Sequence, residues 1–190
     1  MYKHVFLTGP PGIGKTTLIK KASEMLRSSG VSIDGFYTEE VRQGGRRIGF
    51  DIVTLSGKRG TLSRTQSDGR TDRREYRVGQ YVVDLVSFEQ LALPVLSSTV
   101  KENGKEKMIC VVDEIGKMEL FSESFIRTVR KTLDCAGALV FGTIPVPKAK
   151  PLPLVDEIRK RQDVKVFHIT KENRDVILEE IVAAIYDCRK

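Results

Sequence analysis

The residues that can do chemistry come first in this chain. They are Gly9, Pro10, Pro11, Gly12, Ile13, Gly14, Lys15 and Thr16, followed by Thr17. The run fits G-x-x-x-x-G-K-[ST], the phosphate-binding loop. Its glycines let backbone N–H groups turn inward around a phosphate. A helix that starts at the end of the loop adds unpaired donors and the positive end of its dipole. Lys15 offers a point charge to β- and γ-phosphates, and the Thr16 hydroxyl is a hard oxygen ligand for Mg²⁺. A plain Gly-Pro turn with a surface lysine is the competing reading, and the flanking elements speak against it. His4 to Thr8 is a short apolar run of strand type, and Thr17 to Ser28 has helical periodicity, with Leu18, Ile19, Ala22, Met25 and Leu26 on one face.

A second chemical run closes the apolar stretch Met108-Ile109-Cys110-Val111-Val112 with Asp113 and Glu114. A strand this apolar is buried on both faces, and ligands of open α/β sheets sit at the carboxyl ends of strands. The two carboxylates are therefore expected beside the phosphates. Asp113 is the expected Mg²⁺ partner, directly or through water. Glu114 is free to orient or deprotonate an attacking water, the general-base role. Lys117 follows in Asp113-Glu114-Ile115-Gly116-Lys117-Met118-Glu119. It could stabilise transition-state charge, or it could pair with Glu119 or Glu114.

Other candidates are less specific. Arg42, Arg46, Arg47 and Arg64 lie on or beside a hairpin signalled by Gly44-Gly45, and one could act on the phosphates in cis. Asn173 and Arg174 stand at the start of the last helical pattern, where they could meet a base; a capped helix start is the alternative. His168 falls in an apolar strand and reads as a core histidine, while His4 shows no partner in the sequence.

These residues need a scaffold. Strand and helix patterns alternate along the 190 residues, which predicts one α/β domain over 1–190, with a mainly parallel sheet, helices on both faces and an antiparallel hairpin insertion. Strands are expected at Ile33 to Val41, Ile48 to Leu55, Thr61 to Arg64, Tyr76 to Leu85, Ala138 to Ile144 and Val164 to Ile169. Helices are expected from a Ser87 cap to about Pro94, over Ser122 to Leu133, over Leu154 to Arg161, and from a Thr170 cap to about Asp187, the last burying Val176, Ile177, Ile181, Ala184 and Ile185. Thr65 to Arg74 and Ser97 to Lys107 read as polar loops, and Pro145 to Pro153 as a loop over the carboxyl edge of the sheet.

Composition bounds the rest. The 40% hydrophobic and 30% charged residues describe a soluble globular chain with no apolar run near the ~20 residues of a membrane span. No signal-peptide pattern opens it, and three cysteines without C-x-x-C spacing argue against a disulfide scaffold or zinc site. An intracellular, cytoplasmic location and a monomer are the expectations. The net charge of +7 is scattered rather than striped, so nucleic acid is not the expected partner.

Gly9 through Thr17, Gly35-Phe36-Tyr37-Thr38-Glu39-Glu40, and Val112 through Glu119 together resemble the cancer-related nucleoside-triphosphatase family, which has relatives in thermophilic prokaryotes. The resemblance covers nearly the whole chain. It implies a P-loop domain that slowly hydrolyses ATP, GTP and other nucleoside triphosphates with Mg²⁺ and weak base selectivity. It also implies nucleotide contacts at Gly9 through Thr16 and along Ile109, Cys110, Val111, Val112, Asp113, Glu114, Ile115 and Gly116. Two readings stand beside it. A nucleotide or nucleoside kinase would use the arginines near Arg42 to Arg47 or Arg70 to Arg74 as a lid. A nucleotide-gated switch would bind RNA or protein through the basic surface.

Overall fold

The computed structural model describes residues 1–65, 76–100 and 106–190. Its centre is made by strands that are apolar along nearly their whole length: β1 (His4–Thr8), β7 (Met108–Val112) and β8 (Ala138–Ile144). Alternate side chains of such strands point to opposite faces, so both faces need cover. Val5, Leu7, Ile109, Val111, Leu139 and Phe141 meet α1 (Lys15–Ser28) and α5 (Leu178–Arg189) on one face. Phe6, Cys110, Val112 and Val140 meet α2 (Leu85–Thr99), α3 (Glu123–Asp134) and α4 (Pro153–Lys160) on the other. The result is a three-layer α/β fold.

The remaining strands are β2 (Ile33–Gln43), β3 (Arg46–Thr54), β4 (Arg59–Thr65), β5 (Tyr76–Val78), β6 (Tyr81–Val83) and β9 (Val164–His168). All nine form one sheet in the order β5-β6-β4-β3-β2-β7-β8-β1-β9. β2, β7, β8, β1 and β9 run parallel. β3, β4, β6 and β5 continue the sheet antiparallel, a larger extension than one hairpin. Where β2 pairs with β7, Gly35 has φ 137, and a β-carbon there would run into the Val111 carbonyl.

Several boundaries differ from the sequence reading. α1 already begins at Lys15, and Met25 is exposed because it lies at the margin of the stripe formed by Leu18, Ile19, Ala22 and Leu26. Gly79, with φ 58, splits the expected strand at 76–85 into β5 and β6. α2 is capped by Asp84, whose carboxylate accepts the Ser87 N–H at 3.0 Å; Ser87 is inside the helix. Pro94 neither ends nor replaces a turn of α2, because fully buried Phe88, Ala92 and Leu96 hold the helix against the core on both sides of it. The helix therefore takes in Ser97 to Thr99. The loop read at Thr65 to Arg74 lies outside the described residues apart from Thr65, which belongs to β4, and so does Asn103-Gly104.

At the carboxyl terminus the helix starts later than expected, at Leu178; residues 171–176 form turns and Val176 is exposed. The two histidines exchange roles. His168 is exposed at the end of the edge strand β9. His4 is fully buried, its Nε2 bonded to the Leu133 carbonyl at 2.9 Å and its Nδ1 accepting the Val140 N–H at 3.0 Å. An imidazole is one of few side chains able to satisfy a donor and an acceptor inside a core.

Candidate active site

The phosphate loop leaves the carboxyl end of β1 and runs directly into α1. Gly14 takes φ 113 as the N-cap, a left-handed conformation that favours glycine. Gly9 fits so closely against the end of β9 that a β-carbon would stand 2.8 Å from the Ile169 carbonyl. Lys15 is folded back: its ammonium donates to the Gly9 carbonyl at 2.6 Å and lies 3.8 Å from Glu114 Oε2.

Asp113 and Glu114 follow β7, with β8 lying between β7 and β1. The gap is bridged by hydroxyls. Thr16 donates to Asp113 Oδ2 at 2.8 Å, and Thr143 of β8 donates to Oδ1 at 2.6 Å. Burial pushes the Asp113 carboxyl up; the Thr143 and Thr16 hydroxyls, the Thr38 amide and the Lys15 charge work against that push. Burial also raises Glu114, opposed by Lys15 and Lys148 and reinforced by Asp113. The peptide bond joining the two acids is cis.

Lys15, Thr16 and Glu114 stand in one wall of a cleft of about 1170 Å³; Asp113 and Thr143 are buried outside its lining, and Asp113 is tied to it through the Thr16 hydroxyl. Gly9, Pro11, Gly12 and Gly14 to Thr17 line it, as do Glu114, Lys117, Met118 and Glu119. Pro145 to Leu152 form the facing loop, and Thr38, Glu39, Glu40, Arg47, Phe50, Leu62 and Val78 extend the cleft along the antiparallel strands. Pro153, the last proline of that stretch, is already the first residue of α4, where its missing N–H costs nothing.

Not every expected residue comes to the cleft. Ile109 to Val112 are interior strand residues with their side chains in the two cores. Ile115 is buried too, and its N–H bonds Thr143 O at 3.0 Å. Asn173 does not line the cleft: its Oδ1 accepts the Thr170 N–H at 2.8 Å and its Nδ2 donates to His168 O at 2.7 Å, so both ends of the amide close the turn after β9. Arg174 also stands outside the lining and reaches Ile13 O at 3.4 Å. Lys117 does line the cleft, is exposed, and among the described residues pairs with neither Glu114 nor Glu119. Of the hairpin arginines, Arg47 faces the cleft, bonded to Glu40 and the Tyr81 hydroxyl, while Arg64 is held by buried Asp51 at 2.6 Å.

Sequence reasoning missed Thr143 and Glu119. Thr143 had one signal, a hydroxyl next to the carboxyl end of an otherwise apolar strand. Glu119 was visible only as a possible partner of Lys117; burial in the cleft wall is what singles it out.

Oxygen donors of this kind fit Mg²⁺. Among the described residues no group of three His, Cys, Asp or Glu could hold a metal. One hydroxyl and one carboxylate beside a phosphate loop leave the other positions to water and phosphate oxygens, which is how Mg²⁺ is usually bound.

A phosphate loop after one parallel strand and an acidic pair two strands away define a P-loop nucleotide-binding fold. The chain belongs to the NTPase family, whose model matches residues 4–182. It is 66% identical over 190 residues, 100% of both chains, to the human protein named cancer-related nucleoside-triphosphatase. The solution structure of a human cancer-related nucleoside triphosphatase superposes with a TM-score of 0.87, covering 99% of this chain and 100% of that one. The crystal structure of THEP1 from the hyperthermophile Aquifex aeolicus gives a TM-score of 0.80 at 40% identity, covering 96% and 98%. The resemblance drawn from the motifs is thereby borne out.

Proposed function

We propose that this chain hydrolyses nucleoside triphosphates, ATP and GTP among them, to the diphosphate and phosphate with Mg²⁺. The observation that carries the reading is the pair of contacts Lys15–Glu114, on the cleft wall, and Thr16–Asp113, which ties the buried aspartate to that wall. Backbone amides of Gly12 to Lys15 and the Lys15 ammonium receive the β- and γ-phosphates. Thr16 and Asp113 would hold the metal. Bound there, Mg²⁺ neutralises charge on the phosphate oxygens. Glu114 holds a water in line with the γ-phosphorus and takes its proton as the new P–O bond forms and the bond to the β-phosphate oxygen breaks. Lys117, on the same wall and paired among the described residues with neither Glu114 nor Glu119, offsets transition-state charge.

Weak base selectivity is supported by Asn173, whose amide is tied at both ends into its own turn and lies outside the cleft lining. The switch reading loses support because Arg42, Arg47, Arg59, Arg64, Arg130 and Arg161 are each paired with an acid rather than presented as a stripe. No helix among the described residues is long and apolar enough to cross a membrane.

The kinase reading keeps one observation. The cleft, at about 1170 Å³, exceeds the roughly 300–1,000 Å³ of usual small-ligand pockets, which leaves room for an acceptor. Phosphate release from Mg·ATP and Mg·GTP without acceptor separates the two. Equal amounts of diphosphate and phosphate support hydrolysis; tight binding without release sinks it and favours an acceptor.

A further inference from the structure

Glu119 has no part in the reaction above. It is 4% exposed, stands in the cleft wall and begins the 3-10 turn Glu119–Phe121. Among the described residues it has no cationic partner. A buried acid without a counter-charge is costly, and an apolar side chain would fill the space at less cost. Its presence asks for a purpose.

Its contacts supply one. Glu119 Oε2 accepts the Gly116 N–H at 3.2 Å, and the Gly116 carbonyl accepts the Leu120 N–H at 3.0 Å. These two bonds close the turn that follows Glu114. A β-carbon on Gly116 would stand 2.6 Å from Glu114 Oε1 and 3.3 Å from Glu119 Oε2, so both carboxyls border the same small space. Glu114 itself makes no hydrogen bond among the described residues; its polar contact is the Lys15 ammonium at 3.8 Å. Beyond the pull of Lys15, the direction of its carboxylate is left to the turn that it borders at Gly116.

We propose that Glu119 is a positioning residue for Glu114: by holding the Gly116 amide it fixes the turn that aims the Glu114 carboxylate at the attacking water. The proposal rests on the reading of Glu114 as the base. Burial pushes the Glu119 carboxyl well above the usual range, and the Glu114 charge adds to the push. A neutral acid can fasten the turn without setting a second negative charge beside Glu114.

The test is a double-mutant cycle on kcat, followed as phosphate release from Mg·ATP, with single-turnover assays for weak variants. Glu119→Leu removes the acceptor and lowers kcat about tenfold or more, while KM for Mg·ATP changes less than about threefold. Glu119→Gln keeps a neutral acceptor and restores kcat to within about threefold of wild type. In a Glu114→Gln background, Glu119→Leu costs less than about twofold, because what it positions is gone. Should Glu119→Leu fail to fold, Gly116→Ala takes its place: the methyl displaces Glu114 Oε1, and its effect likewise disappears in the Glu114→Gln background. A folded Glu119→Leu or Gly116→Ala with wild-type kcat overturns the proposal, as do effects that multiply in the cycle. If Glu114→Gln turns over normally, the base assignment is what fails. If it collapses while Glu119→Leu does not, only the positioning role fails.

Discussion

The Lys15 ammonium lies 3.8 Å from Glu114 Oε2, which joins the phosphate loop to the acidic end of β7 across the intervening β8. The ammonium is thus shared between two tasks. It balances a partly buried carboxylate, and in the proposed mechanism it also meets the γ-phosphate.

Lys15→Ala removes both. Triphosphate binding, followed with a fluorescent nucleotide, should weaken at least tenfold, and turnover should fall by about 10²-fold or more, the usual cost of losing one electrostatic contact to transition-state charge. Unchanged binding in the variant would show that the loop does not hold the phosphates through this lysine.

Thr143 tests the bridge through β8. Its hydroxyl satisfies one oxygen of Asp113, which is 1% exposed. Thr143→Val leaves that oxygen short of a donor and should cost about 1–3 kcal/mol of stability, the penalty for an unsatisfied buried polar group. It should also raise the Mg²⁺ concentration needed for half-maximal turnover. Thr143→Ser should recover both. Equal Mg²⁺ response in the valine variant would separate Thr143 from the metal site.

His4 sets a pH dependence unrelated to catalysis. Burial lowers its pKa below 6.5, outweighing the opposing pull of the Leu133 carbonyl and of Asp163. The fold holds it neutral, and protonating Nδ1 would orphan the Val140 N–H. The unfolded chain takes up a proton below about 6.5, so stability is full above that pH and declines as the pH falls from about 6.5. The depressed Asp163 and Glu157 carboxyls have the same sign, but their losses come below 3.8 and 4.5. The Asp113, Glu114 and Glu119 carboxyls, raised by burial, act with the opposite sign, gaining stability as the pH falls, so the check is the difference between two series of thermal melts from pH 8 to 5: wild type should lose more stability on acidification than His4→Gln. Parallel profiles of the two proteins would contradict this.

Gly35 tests the frame that carries the site. With φ 137 and the Val111 backbone against its α-carbon, it has neither the conformation nor the room for a side chain. Gly35→Ala should cost about 2 kcal/mol or more, as backbone strain and overpacking combine. The change should appear as a lower denaturation midpoint. An unchanged midpoint would mean that β2 and β7 can move apart where Gly35 pairs with Val111.

The parallel core and the phosphate loop were legible in the sequence, because both have short-range signatures: mostly apolar runs of five to seven residues, and a fixed glycine-lysine spacing. What was hidden depends on distance in space. Asp84 and Ser87 are equally good caps by type, and only the packing of Phe88, Ala92 and Leu96 fixes which one starts α2. His4 looked partnerless because its partners, Leu133 and Val140, are more than a hundred residues away. Asn173 could not be separated from a base ligand until both ends of its amide were seen bonded to its own turn. Thr143 and Glu119 acquire meaning from Asp113 and Gly116, which no local pattern links to them.

The most direct test of the central claim is phosphate release by Glu114→Gln beside wild type, with Mg·ATP and Mg·GTP and no acceptor. The substitution keeps size and hydrogen-bonding ability but cannot take a proton. Turnover should fall by about 10²- to 10⁴-fold, the range for a lost general base, with nucleotide binding retained. Wild-type turnover in the variant would contradict the account and move the search for the base away from the end of β7.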